Sequence, residues 1–132
     1  DPDEVVRNNA TRGLATLAAY LNEHPDPTVS IPAEPFIALA NSVVWTDRNK
    51  GIAVLLGLTE KRPPALMKQL KDKLLNSLVE MSKWKNPGHA MMSYTLLSRL
   101  AGVAEDKINS TYMSDQKDAS INEMAKQISM QN

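Results

Sequence analysis

Apolar residues recur at helical spacing along most of the chain. Near the start, Val6, Ala10, Leu14 and Leu17 are separated by three or four residues, which places them on one face of an α-helix. The same periodicity predicts helices at about residues 3–22, 34–44, 47–60, 64–84, 87–103 and 117–130. No segment shows the period of two that is typical of a half-buried strand. The sequence therefore predicts an all-α protein.

Capping signals support several of these helix starts. The first four residues, DPDE, offer a cap at the first position, a proline at the first helical position and a glutamate at the third. Thr46 or Asp47 can cap the third helix, and Asn86 followed by Pro87 repeats the cap-then-proline pattern. Prolines at positions 25, 27, 32, 35, 63 and 64 separate the helical stretches, because proline lacks an amide donor.

A shift of 41 residues superimposes the longer helices. Arg7 falls on Arg48, and Leu14 falls on Leu55 and then on Leu96. A period near 40 with two helices in each unit is typical of an α-solenoid. Helical hairpins stack in such folds because one hairpin cannot bury its apolar face alone.

Three stretches carry a family resemblance. DEVVRNNATRGLATLA resembles the second helix of a HEAT repeat, DRNKGIAVLLGL a weaker copy, and NPGHAMMSYTLLSRLAGV a degenerate one with His89 in place of the arginine. The resemblance implies a short right-handed α-solenoid of about three HEAT-like hairpins, the first incomplete, plus a C-terminal helix. We expect a repeat domain over residues 1–104 and a tail over residues 105–132 that serves as a cap or an interaction segment.

The HEAT resemblance also suggests roles for the repeated arginines. It implies that Arg7 and Arg48 pair with aspartates such as Asp3 and Asp47 in a ladder that joins neighbouring repeats. The alternative interpretation is a clamp for a phosphate or carboxylate, because a guanidinium binds such anions through two parallel hydrogen bonds.

Further polar residues at the helix starts are candidate binding residues. They fall off the apolar stripe, and second helices line the concave side on which solenoids hold ligands. They are Asn8, Asn9, Asn49 and Lys50. Trp45 and Trp84 precede second helices, where each either packs the turn or, if exposed, anchors a partner.

Catalytic and metal-binding patterns are missing from the sequence. There is no cysteine, and His24 and His89 have no second ligand at metal spacing. No serine lies in a nucleophile-elbow motif, and the glycines lack the lysine and threonine of a phosphate-binding loop. We therefore predict no enzyme activity, no metal and no cofactor. The longest apolar run, Ile52–Leu58, is far below the roughly 20 residues that span a bilayer.

Charge is balanced over the whole chain but unevenly distributed. The net charge is zero, with about −5 over residues 1–47, +6 over residues 48–85 and −1 beyond. The basic block is either a solvated helix face or a surface for an acidic partner or another copy of the chain. We expect a soluble protein, either cytoplasmic or a mature fragment after removal of a leader, since its first residue is Asp1.

These observations favour a non-enzymatic interaction or scaffold module with an unidentified protein partner. Val5, Val6 and Ala19 are expected to be exposed at the incomplete end of the solenoid, which would also allow a homodimer. The alternative is a HEAT-like DNA-binding protein of the DNA-glycosylase type, since Trp45, Asp47 and the following basic residues lie together. We do not expect nucleic acid as the main partner, because the overall charge is not basic. Bilin lyases also carry HEAT-like repeats, but the sequence offers no chromophore pocket.

Overall fold

The computed structural model describes residues 2–131, and within that range every regular element is a helix. The helices are α1 (Glu4–Glu23), α2 (Glu34–Ala40), α3 (Trp45–Leu58), α4 (Pro64–Ser82), α5 (Pro87–Leu100), α6 (Glu105–Tyr112) and α7 (Lys117–Met130). The predicted all-α class is confirmed. By its internal contacts the chain divides into two compact units, Asp1–Leu66 and Met67–Asn132.

Helix starts differ in part from the predicted caps. Asp3 caps α1, with its side chain accepting hydrogen bonds from the amides of Val5 and Val6, so the prediction of a cap at the first residue was wrong. Val44 is the N-cap residue of α3, and its amide donates to the hydroxyl of Ser42. Thr46 and Asp47 therefore lie inside the first turn of α3. The side chain of Asn86 caps α5, as predicted.

In the first unit, α1 and α2 both pack on α3. Thr46 at the start of α3 donates to Glu4 at the start of α1, and Asn22 near the end of α1 donates to the carbonyl of Gly57. Because the bonds join start to start and end to end, α1 and α3 run parallel. A four-residue turn joins α2 to α3, and the two form a helical hairpin.

In the second unit, α6 and α7 pack on α5 and on each other. Helix α5 ends in a Schellman motif, in which Gly102 has a positive φ of 78° and the amide of Val103 donates to the carbonyl of Ser98. Helix α6, which the periodicity did not predict, is tied to α5 by the ion pair between Arg99 and Glu105, 2.6 Å apart.

The last helix is part of this second core. The apolar stripe of α7 is buried at Ile121, Met124 and Ile128. Lys71 of α4 donates to the carbonyl of Gln131 after the end of α7, and Lys83 after α4 donates to Asn122 at the start of α7. Helices α4 and α7 are thus antiparallel neighbours, and the stripe of α7 is not a free surface.

Candidate functional site

An apolar groove of about 520 Å³ runs along α1 in the first unit. One wall is the face of α1 that repeats every third or fourth residue, including Val6, Ala10, Leu14 and Leu17. The other wall is formed by the proline-rich loop and α2, through Val29, Ile31, Pro32, Pro35, Phe36 and Leu39. We call this feature the α1–α2 groove.

The groove leaves large apolar side chains in contact with solvent. Val6 is 48% exposed and Val29 is 40% exposed, while Phe36 is buried in the floor. Thr11, the polar residue of the floor, donates its hydroxyl to the carbonyl of Arg7 at 2.7 Å. With that hydroxyl satisfied inside α1, the exposed lining of the groove is mainly hydrocarbon.

The loop wall is ordered by a turn at Asp26. The Asp26 carboxylate accepts from the amide and the hydroxyl of Thr28, at 2.9 and 2.6 Å, and the amide of Val29 donates to the carbonyl of Asp26. The Thr28 hydroxyl and amide hold the pKa of Asp26 below its ordinary value. The carboxylate therefore stays ionised at neutral pH beside the apolar wall.

Arg7 lies at one end of the groove and joins α1 to α3. Its guanidinium lies 3.3 Å from the carboxylate of Asp47, whose side chain is only 10% exposed, and it also donates to the carbonyl of Pro2. Both Nε and Nη2 of Arg7 bond to Asp47. Asp3, the other aspartate expected in the ladder, caps its own helix.

The other predicted binding residues lie around the starts of α1 and α3. Arg48, Asn49 and Lys50 are partly buried, as is Asn8, whereas Asn9 is exposed. None of these five residues lines the α1–α2 groove. Of the binding residues predicted from the sequence, Arg7 is the one in its lining.

Asn8 and Asn49, which the 41-residue shift superimposes, share an unusual environment. The Oδ1 atom of each is buried and accepts no hydrogen bond within the described part of the chain. A buried acceptor left without a donor costs about 1–3 kcal/mol. The two amides are therefore the predicted residues with the clearest unused bonding capacity.

Trp45 stands outside the groove as an exposed side chain. It is the first residue of α3 and is 54% exposed, next to Val44 and the fully exposed Val43 in the preceding turn. Trp84 is half-buried. The sequence left two interpretations of Trp45, a residue packed in the turn or an exposed side chain. The structure shows an exposed side chain.

One of the two walls of the groove could be predicted from the sequence. The α1 stripe was recognised from its periodicity, but the facing wall was not. Its signal was Val29 and Ile31, two apolar residues in a loop punctuated by prolines. Such residues become recognisable as one wall of a groove only when the loop is placed beside α1.

Metal-ligand clusters and membrane-spanning helices are both absent from residues 2–131. Within that range no three histidine, cysteine or carboxylate side chains come together as a possible metal site. No helix of the described chain has the length and apolar content needed to cross a membrane.

No protein-family model, no curated protein sequence and no solved structure matches this chain.

Proposed function

We propose that this chain is a non-enzymatic, HEAT-like interaction module that binds a protein partner in the α1–α2 groove. The observation that carries the proposal is the exposed hydrocarbon of the groove, with Val6 and Val29 on its rim and Phe36 in its floor. Hydrophobic burial on binding would remove this surface from water, at about 25 cal/mol per Å² of apolar area.

The arrangement of the first unit supports the HEAT-like part of the proposal. Helices α1 and α3 carry the 41-residue repeat, run parallel and are bridged by Arg7 and Asp47. The HEAT resemblance leads us to expect both the parallel second helices and the arginine–aspartate pair between repeats. Helices α2 and α3 supply one complete hairpin, and α1 supplies the second helix of another.

The dimensions of the groove favour a segment of polypeptide as its ligand. The lining residues on α1 extend from Val6 to Leu17, which is about 16 Å along a helix that rises 1.5 Å per residue. A cleft of this length, with an apolar floor and open rims, fits the side chains of about three helical turns.

Site-specific photo-crosslinking tests this proposal. A photoreactive phenylalanine analogue is placed at Leu17 on the groove rim, which is 36% exposed, or at Met113, an apolar and more exposed control in the second unit. After irradiation in cells that naturally contain the protein, we expect position 17 to capture a defined protein that position 113 does not. Mass spectrometry of the adducts identifies the partner.

Each crosslinking result has a distinct meaning. A shared set of adducts at both positions would contradict a partner site in the groove. A Leu17 adduct that contains only this chain would identify the homodimer as the complex. Substituting Leu14→Gln inside the groove should remove the specific adduct in either case, because it places an amide on the apolar wall.

A further inference from the structure

The first unit contains an example of a helix that docks on a repeated second helix. Helix α2 crosses α3 at Gly51, where an added Cβ would lie 2.7 Å from the carbonyl oxygen of Phe36 and 2.8 Å from the amide nitrogen of Ala40. The two backbones therefore touch at Gly51. Helix α2 presents Phe36, Ile37 and Ala40 as its buried residues.

The corresponding position on α1 is open. The 41-residue shift places Ala10 on Gly51, and Ala10 is exposed and lines the α1–α2 groove. The face of α1 that contains Ala10 thus corresponds to the face of α3 that α2 covers. A helix comparable to α2 is the occupant that this geometry favours.

The charges near the groove determine which kind of helix fits. Over residues 2–39 the chain carries five exposed carboxylates, those of Asp3, Glu4, Glu23, Asp26 and Glu34. The same range has two arginines, and the charge of Arg7 is offset by Asp47. Asp26 and Glu34 lie within three residues of the lining residues Val29 and Pro35. The elements that form the groove therefore carry more carboxylates than cations, although the charged residue in the lining itself is Arg7.

We infer that the α1–α2 groove receives a basic amphipathic helix of a partner protein. Its apolar stripe would be spaced as in α2, with a small residue where it crosses Ala10 and lysine or arginine on both flanks. The inference rests on the proposed function and adds the secondary structure and charge of the ligand. Complementary charge steers such a helix to the groove and rejects acidic helices.

Three synthetic helices test the inference on the full chain. Each fluorescent peptide has about 14 residues, roughly four helical turns. The first combines the apolar stripe of α2 with lysine flanks, the second has the same stripe with glutamate flanks, and the third keeps the lysines but scrambles the stripe. We expect the first peptide to bind about tenfold more tightly than the other two in fluorescence anisotropy titrations.

Matched variants locate the binding surface. Leu17→Ser removes hydrocarbon from the groove rim, and Val43→Ser makes the same kind of change at a fully exposed valine of the same unit. We expect Leu17→Ser to weaken the lysine-flanked peptide about tenfold and Val43→Ser to leave its affinity unchanged. Equal urea midpoints for both variants establish that each one is folded.

Charge variants separate this inference from the proposed function. Glu23→Gln combined with Glu34→Gln should weaken the lysine-flanked peptide, and raised salt should weaken it further, since screening acts over about 10 Å at 0.1 M salt. If the glutamate-flanked peptide binds as tightly as the lysine-flanked one, and Leu17→Ser weakens both, the ligand of the groove need not be basic. That result would overturn the inferred charge of the ligand but would still support a groove that binds a helix. Binding of no peptide, or binding unaffected by Leu17→Ser, would overturn the inference, and the crosslinking at Leu17 then decides the proposed function separately.

Discussion

At the scale of single residues, the pairing of Arg7 with Asp47 is the clearest structural role of a predicted binding residue. The pair joins α1 to α3 at 3.3 Å and is largely shielded from water on the Asp47 side. An arginine whose charge is already matched is a connection between helices rather than an open anion clamp. Asp47 is correspondingly occupied by Arg7 and does not present a free carboxylate.

Loss of Arg7 should destabilise the protein. Arg7→Ala leaves the Asp47 carboxylate in a shielded position without its cation, so we expect the free energy of unfolding to fall by about 1–3 kcal/mol. Arg12→Ala on the same helix removes an exposed arginine and should change it by less than about 0.5 kcal/mol. Urea denaturation followed by circular dichroism compares the two, and equal effects would contradict a structural ion pair.

The turn at Asp26 makes a prediction about pH. Because Thr28 donates to the ionised form, the pKa of Asp26 lies below its ordinary 3.8 in the folded chain. The contribution of the Asp26–Thr28 hydrogen bonds to the free energy of unfolding is present above pH 3.8. It is lost as the pH falls through the lower pKa that Asp26 has in the folded chain. In NMR titrations of the carboxyl carbon, Thr28→Val should raise the pKa of Asp26. An unchanged pKa would show that the Thr28 hydroxyl does not hold this turn.

At the scale of elements, α3 is the helix on which the first unit is built. Both α1 and α2 pack on it, and two of its glycines lie where the backbones come close. Gly51 meets α2, and a Cβ at Gly57 would lie 2.9 Å from the Cβ of Ala18 on α1. Small residues at these crossings are what allow two helices to pack on one.

Two alanine substitutions test the crossing at Gly51. Gly51→Ala introduces a methyl group against the backbone of α2, and we expect a loss of about 1–3 kcal/mol of stability. Gly13→Ala in α1 has no neighbour within 4 Å and should gain about 0.5–1 kcal/mol from the higher helix propensity of alanine. Thermal unfolding should therefore shift in opposite directions, and a shift of Gly51→Ala to higher temperature would contradict the close crossing.

Helix α7 is expected to behave as a core element. Ile128 is fully buried, so Ile128→Ala should cost about 2–5 kcal/mol. Met130→Ala, two residues later on an exposed side chain, should cost less than about 0.5 kcal/mol. Chemical denaturation of both variants distinguishes a docked helix from an interaction tail, for which the two substitutions would have similarly small effects.

At the scale of the whole molecule, charge is balanced although it is uneven along the chain. The formal net charge is zero, and the sequence pI is about 6.9. The long-range repulsion that keeps many proteins apart is thus weakest near neutral pH. Exposed apolar side chains such as Val43 and Trp45 add to the tendency to associate.

Solubility should follow this balance. We expect a minimum near pH 7, with higher solubility at about pH 5 and pH 9, where the chain carries net positive and net negative charge respectively. Precipitation by polyethylene glycol over this range measures it. A minimum far from pH 7 would show that local patches, rather than net charge, control association, and Val43→Lys would then be the variant to compare.

Local pattern predicted most of the helices, but not all of them. The caps and boundaries depended on single side chains, as at the start of α3, where Ser42 accepts from the amide of Val44 and Thr46 donates to Glu4 of α1. Helix α6 was missed because its buried residues are only Ile108 and Tyr112. One pair of apolar residues four apart is too short a pattern to establish a period.

The sequence by itself determined that the chain is helical and which faces of α1 and α7 are apolar, because helical periodicity is a local property. Only the tertiary structure decided whether each of those faces is buried or exposed. The stripe of α7 is buried at Ile121 and Ile128, whereas that of α1 remains open at Val6 and Ala10. The two stripes have similar patterns, yet one is buried and the other is exposed, because the hydrophobic effect is non-directional and does not specify which surface an apolar face packs against. Whether a stripe becomes core or binding surface depends on which other elements cover it.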